Sequence, residues 1–161
     1  MLPAAKPPGS KGLPCKHYKS IMSEDIINFT RKQTCATISC INQNGKPYCF
    51  NCFYAFNGEL GLLYFKSSPD TYHSKLIKQN PFIAGTILPD KLKTILVQGI
   101  QFEGELLACD HPLTAHASAN YHKKHPMALA MSGEIWTIKI NHIKMTDSSK
   151  GFGKKIAWDR G

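Results

Sequence analysis

Hydrophobic and polar positions divide the chain into short apolar segments with two different periods. Ser23-Glu24-Asp25 followed by Ile26, Ile27 and Phe29 is the pattern of a capped amphipathic helix, acidic in its first turn and ending near Gln33 with Arg31 and Lys32 in its last. Strand-like segments follow closely at 34–41, 47–56 and 60–65, joined by Asn42-Gln43-Asn44-Gly45 and by Asn57-Gly58, both hairpin signals. Tyr72, Leu76 and Ile77 stand at helical spacing and predict a helix ending at Asn80-Pro81. Beyond it lie a strand at 82–88, a turn at Pro89-Asp90, and a long strand at 95–109 in which Gly99 and Gly104 predict bulges or bends. A helical stretch at 112–125 then precedes a last strand at 135–145.

Six strands with helices only in the connections predict a mainly β fold, a small closed or partly closed antiparallel barrel. The 161 residues, 42% hydrophobic, suffice for one core. Residues 1–19, with prolines at 3, 7, 8 and 14, read as a flexible basic tail ahead of a single domain at 20–161. No apolar run approaches a membrane span and no secretory stretch opens the chain, so a cytoplasmic location is expected.

The formal charge of +9 changes this picture little once it is placed. Four lysines and no acid fall in residues 1–19, and six basic against two acidic residues in 139–161, while 20–138 is nearly neutral with ten basic and nine acidic residues. A specific nucleic-acid groove would need basic residues interleaved with aromatics along the body of the chain, so only weak polyanion attraction through the ends is expected.

The candidate chemistry gathers where the third strand runs into the second helix. Ser67, Ser68, Pro69 and Asp70 resemble a capping box, and Thr71, His73 and Lys75 follow in the opening turns. Cationic residues at a positive helix end break the local rule unless an anion resolves it; hydroxyls, free amides and cations together suit a phosphate. A solvated helix face is the plain alternative. Cys49 and Cys52 form a Cys-x-x-Cys, but residues three apart on a strand point to opposite faces, which argues against a shared metal or redox pair. His122 and His125 lie one helical turn apart without an acidic or cysteine partner nearby. Neither a Gly-x-Gly-x-x-Gly fingerprint nor a Walker loop is present.

From about Ser20 onward the residues resemble the split β-barrel flavin-binding proteins related to pyridoxamine 5′-phosphate oxidase, and in particular the bacterial YhbP-like branch. The resemblance rests on Cys49-Phe50-Asn51-Cys52-Phe53-Tyr54, on Gly99-Ile100-Gln101-Phe102-Glu103-Gly104-Glu105, and on Gly151-Phe152-Gly153-Lys154-Lys155-Ile156-Ala157-Trp158. It implies a six-stranded antiparallel split barrel and a homodimer with FMN at the subunit interface. It also implies FMN contacts at Phe50, Asn51, Cys52 and Phe53 of the second strand, at Lys66 and Ser67 ending the third, and at the helix start that follows, where Ser68, Thr71, His73 and Lys75 stand. Gln101 is the candidate polar contact to the flavin ring.

Two departures matter. The Ser-Arg-Lys triplet that grips phosphate in the oxidase falls on Thr71, Tyr72 and His73, which weakens the charge-assisted contacts unless Lys66 or Lys75 compensates. Phe50 and Ala55 stand where the oxidase has an arginine and a lysine, and its C-terminal arginine-rich substrate motif is absent. The expected function is therefore a flavin-dependent oxidoreductase or flavin reductase, with substrate and electron donor open, rather than a vitamin B6 oxidase. A non-enzymatic binder of haem or another planar cofactor, ligated by His122 or His125, is the alternative.

Overall fold

The computed structural model describes residues 21–93, 95–151 and 154–161. The basic tail at 1–19 and the Phe152-Gly153 part of the C-terminal motif lie outside the described residues.

Residues Glu24–Lys32 form α1, capped by the Ser23 side chain on the Ile26 amide. Strand β1 (Cys35–Ile41) turns through Asn42–Gly45 into β2 (Pro47–Asn57), and β3 (Leu62–Ser67) follows. Gly45 sits at φ +73°, the left-handed conformation that favours glycine, and its amide bonds the Asn42 carbonyl. Helix α2 (Tyr72–Gln79) leads to β4 (Phe82–Ile87) and β5 (Gln98–Leu106). Helix α3 (Ala117–Lys124) leads to the long β6 (Glu134–Asp147) and a short β7 (Lys155–Asp159).

The strands run β3-β2-β1-β4-β5-β6, and β3 pairs with β6 to close a six-stranded antiparallel barrel. β6 is long enough to take β3 along 134–139 and then β7 along 142–146 on the same edge. The seventh strand was not expected from sequence: its alternation covers five residues, only Trp158 of them buried. The barrel interior is filled by alternating residues, among them Ile38, Tyr54, Leu63, Phe65, Ile100 and Ile138, with Ile26 and Ile27 of α1 and Leu76 and Ile77 of α2 joining the same core. A second, smaller cluster outside the barrel seats α3 through Ala117 and Tyr121 on Ala55, Leu62 and Tyr64.

Three expectations change in detail. Helix α2 is capped by Thr71, whose hydroxyl accepts from the Ser74 amide, and not by Ser67, because β3 extends through Ser67. The expected helix at 112–125 is a 3-10 turn (Pro112–Thr114), α3 and a second 3-10 turn (Pro126–Ala130), prolines opening both turns. Strand β5 starts at Gln98 rather than Ile95, and its irregularity falls at Glu103/Gly104.

Gly104 is tied to that bulge by space: a Cβ there would lie 2.5 Å from the Lys139 carbonyl oxygen, a backbone atom that cannot rotate away. Gly104→Ala is therefore expected to destabilise the barrel by about 1–3 kcal/mol in chemical unfolding; an unchanged midpoint would show that the bulge relaxes freely.

Candidate functional site

Among the described residues the barrel is incomplete along one edge. β3 pairs with β2 only from Tyr54 onward (Tyr54 opposite Phe65), while β1 pairs with β2 from Pro47 to Phe53. At the two ends of that ladder the Asn42 amide donates to the Lys46 carbonyl at 2.8 Å and the Tyr54 amide to the Thr34 carbonyl at 3.1 Å. Antiparallel alternation then directs the backbone groups of Tyr48, Phe50 and Cys52 toward β1 and those of Cys49, Asn51 and Phe53 toward the unpaired edge. Pro47, which has no N–H, falls on the open side, where a missing donor does no harm.

A cleft of 530 Å3 lies along this open edge. β2 lines it with Phe50, Asn51, Cys52 and Phe53, and the end of β3 with Lys66 and Ser67. The far wall comes from the α3 end and the turn after it, through Tyr121, His125, Met127 and Met131. Phe50 and Cys52 point inward to the barrel core, whereas Phe53 is 63% exposed at the mouth.

At the inner end His73 stacks on Phe50, ring centroids 3.9 Å apart and planes 12° from parallel. Its Nε2 lies 2.8 Å from the Ser67 hydroxyl and 3.1 Å from that of Thr71. Thr71 Oγ1 also meets Ser74 Oγ at 2.7 Å, and Ser74 donates to the Ser68 carbonyl at 2.8 Å. The Trp136 indole donates to the Ser67 carbonyl at 3.0 Å, which fixes the end of β3 from below. Burial pushes the His73 imidazole below its ordinary range, so this ring is neutral near pH 7.

The cations are disposed differently from the sequence expectation. Lys66 Nζ donates to the Ala128 carbonyl at 2.7 Å and ties β3 to the turn roofing the cleft. Lys75 is exposed and does not line the cleft. Ser68 and Thr71 stand behind the lining residues and act through Ser74 and His73. Gln101 is not brought to this cleft: it lies on another face of the barrel, in a groove with Thr37, Ser39, Glu103 and His142. Strand alternation put it on the same face as Gly99 and carried no information on which groove of the barrel that face meets.

Sequence reasoning missed the roof. Lys124 Nζ lies 4.6 Å from the Tyr54 ring and donates to the Gln33 carbonyl, and burial lowers its pKa. His125 places Nε2 2.8 Å from the Tyr54 carbonyl. His122 does not line the cleft; its Nδ1 lies 2.9 Å from the Ser118 carbonyl and its Nε2 is buried. Met127 and Met131, 83% and 66% exposed at the mouth, belong to the connection between the expected helix at 112–125 and the expected strand at 135–145, to which the sequence assigned no element. Cys49 and Cys52 fall on opposite sides of β2, one exposed and one half-buried, and burial raises the Cys52 pKa, keeping it a thiol.

A scan against protein-family profiles finds no match. Similarity to individual proteins is extensive. A UPF0306 protein of Photorhabdus laumondii is 36% identical over 135 residues, 84% of this chain and 94% of that one. The UPF0306 protein YhbP of Escherichia coli O127:H6 is 32% identical over 121 residues, covering 75% and 86%. Among solved structures, a heme binding protein from Mycobacterium smegmatis superposes with a TM-score of 0.68 at 12% identity, over 81% of this chain and 55% of that one. A FAD-binding protein from Mesorhizobium loti superposes at 0.57 with 15% identity, over 76% and 92%. At such identities the two structures bear on the fold alone, whereas identity above 30% across most of both chains bears on ancestry: the chain belongs to the UPF0306 family, the YhbP-like proteins.

Proposed function

We propose that the cleft binds FMN and that the protein is a dimeric flavin-dependent oxidoreductase or flavin reductase. The observation that carries this reading is the open β2 edge beside an apolar cleft. A flavin's ring is flat and largely apolar, but its pyrimidine side needs donors and acceptors in alternation, and the outward-facing groups of Asn51 and Phe53 present both. Phe50 and the stacked His73 offer an aromatic inner wall.

The phosphate falls on this reading to Ser67 and His73, with Thr71 behind them. Their hydroxyls and ring nitrogen already face one another, and an anion would replace that internal pairing with charge-assisted bonds. With Lys75 turned away and Lys66 engaged, the grip is weaker than an arginine-lysine pair would supply. Bound FMN would supply the electron transfer; the chain would hold and orient it and set the polarity around it. Phe53, Met127 and Met131 form an exposed apolar rim, which a second copy of the chain would cover in the proposed homodimer.

Haem is the second reading, favoured by an imidazole among two methionines at the mouth and by the heme binding protein that shares the fold. Against it, His125 Nε2 is spent on the Tyr54 carbonyl, and His122 is turned away from the cleft.

Titration with FMN is expected to give saturable binding with a flavin absorption band, and light scattering of the loaded sample a mass of two chains. Phe53→Ala, at an exposed position, is expected to leave stability within about 0.5 kcal/mol while weakening FMN about tenfold, ~1.4 kcal/mol. A colourless protein with no melting shift in excess FMN would overturn the reading, and a Soret band with haem that disappears in His125→Ala would install the alternative.

His73 makes the unliganded protein sensitive to acid. Its native pKa is depressed, so as pH falls through the unfolded value of about 6.5 the unfolded chain takes up a proton that the native chain refuses, and stability declines. The melting temperature of the unliganded protein is expected to drop between pH 8 and 5.5, and His73→Gln to flatten that slope; an identical slope in both proteins would place the sensitivity elsewhere.

A further inference from the structure

The ladder between β6 and β5 begins at Ile138, and the Leu107 amide also donates to the Thr137 carbonyl, so the opening residues of β6, 134–136, are paired on the β3 side and border a second groove on the other. This groove, 770 Å3, lies apart from the flavin cleft and shares none of its lining residues. Its apolar walls are Ile77 of α2, Leu107 after β5, and Ile135. Trp136 contributes an aromatic surface, with the Lys78 ammonium 5.2 Å from the ring centroid.

Thr137 borders the same groove and is the observation that asks for an occupant. It is 2% exposed, and its hydroxyl is buried with no hydrogen-bond partner among the described residues. A valine would fill that space without an unpaired hydroxyl, so the polar atom is unfavourable for folding alone. Ala117 and Ser118, the first two residues of α3, also line the groove. The residue preceding them, His116, makes no side-chain cap, and the first turn contains no acid. That helix end therefore presents uncapped amides and positive dipole to the groove. Glu134 at the same groove limits the negative charge that can be accommodated.

The geometry points to a second ligand site here, taking a small aryl carboxylate: its ring lies along Ile135 and Leu107 on the Thr137 face of β6, beside the edge that Trp136 borders, its carboxylate faces the α3 N-terminus, and one oxygen accepts from Thr137. The site is independent of whether the first cleft holds FMN.

The test uses the full chain and 2-naphthoate as probe, with 2-naphthamide as its neutral counterpart, read by the indole N–H signals of the two tryptophans in NMR. The Trp136 signal is expected to shift saturably with naphthoate and that of Trp158 to stay, with the amide binding at least about tenfold more weakly and excess FMN leaving the titration unchanged. Thr137→Val is expected to raise the melting temperature by about 2–4 °C and to weaken naphthoate about tenfold or more. Ser118→Asp supplies a second variant, in which an acid in the first turn suits the helix and repels the probe. The proposal is overturned by no saturable shift of Trp136 at millimolar probe, by competition with FMN, by undiminished affinity in both variants, or by a lowered melting temperature in Thr137→Val.

Discussion

Most of what is specific to this molecule follows from a mismatch in strand pairing. β2 is eleven residues long, and β3 covers only its last four, Tyr54 to Asn57. A barrel that closed fully would satisfy every backbone group and present an inert wall. Here β3 leaves the sheet at Ser67 to enter α2, and among the described residues β2 keeps an unpaired edge whose donors and acceptors need water or a ligand. The exposed edge is kept from pairing with other chains by its setting: Pro47 begins it, and the α3 end with its following turn stands over the rest.

The walls of the resulting cleft are held from outside it. Trp136 anchors the last residue of β3 through its carbonyl, Lys66 anchors the turn after α3, and Lys124 and His125 bind carbonyls at Gln33 and Tyr54. Side chains that look in sequence like a reservoir of positive charge serve here as struts. The cleft is consequently less electropositive than the +9 of the chain suggests, which suits a ring-shaped, mostly apolar ligand better than a polyphosphate.

The barrel was legible in the sequence because its signals are local: Asn-Gly hairpins, alternation along β1 to β3, and a capped amphipathic α1. The β2 and β3 face of the cleft was legible too, since Phe50 to Phe53 and Lys66 to Ser67 lie on contiguous strand positions that the family resemblance marks. What could not be read depends on distant contacts. Thr71 displaces Ser67 as cap only because β3 continues pairing with β6 through Ser67. The direction of Lys66 is set by a carbonyl sixty-two residues away. Gln101 lines a different groove of this chain, because alternation reports the face of a strand and not the position around the barrel. β7 escaped notice because its few residues become a strand only beside the bent second half of β6.

The central claim is that β2 carries an open, alternating edge that its ligand completes. Residue-resolved amide exchange tests it most directly. In the unliganded protein the amides of Phe50 and Cys52 are expected to be protected and those of Asn51 and Phe53 to exchange fast, and saturating FMN is expected to slow the latter pair selectively. Uniform protection across 49–53 without ligand, or no change at Asn51 and Phe53 when FMN is bound, would contradict it.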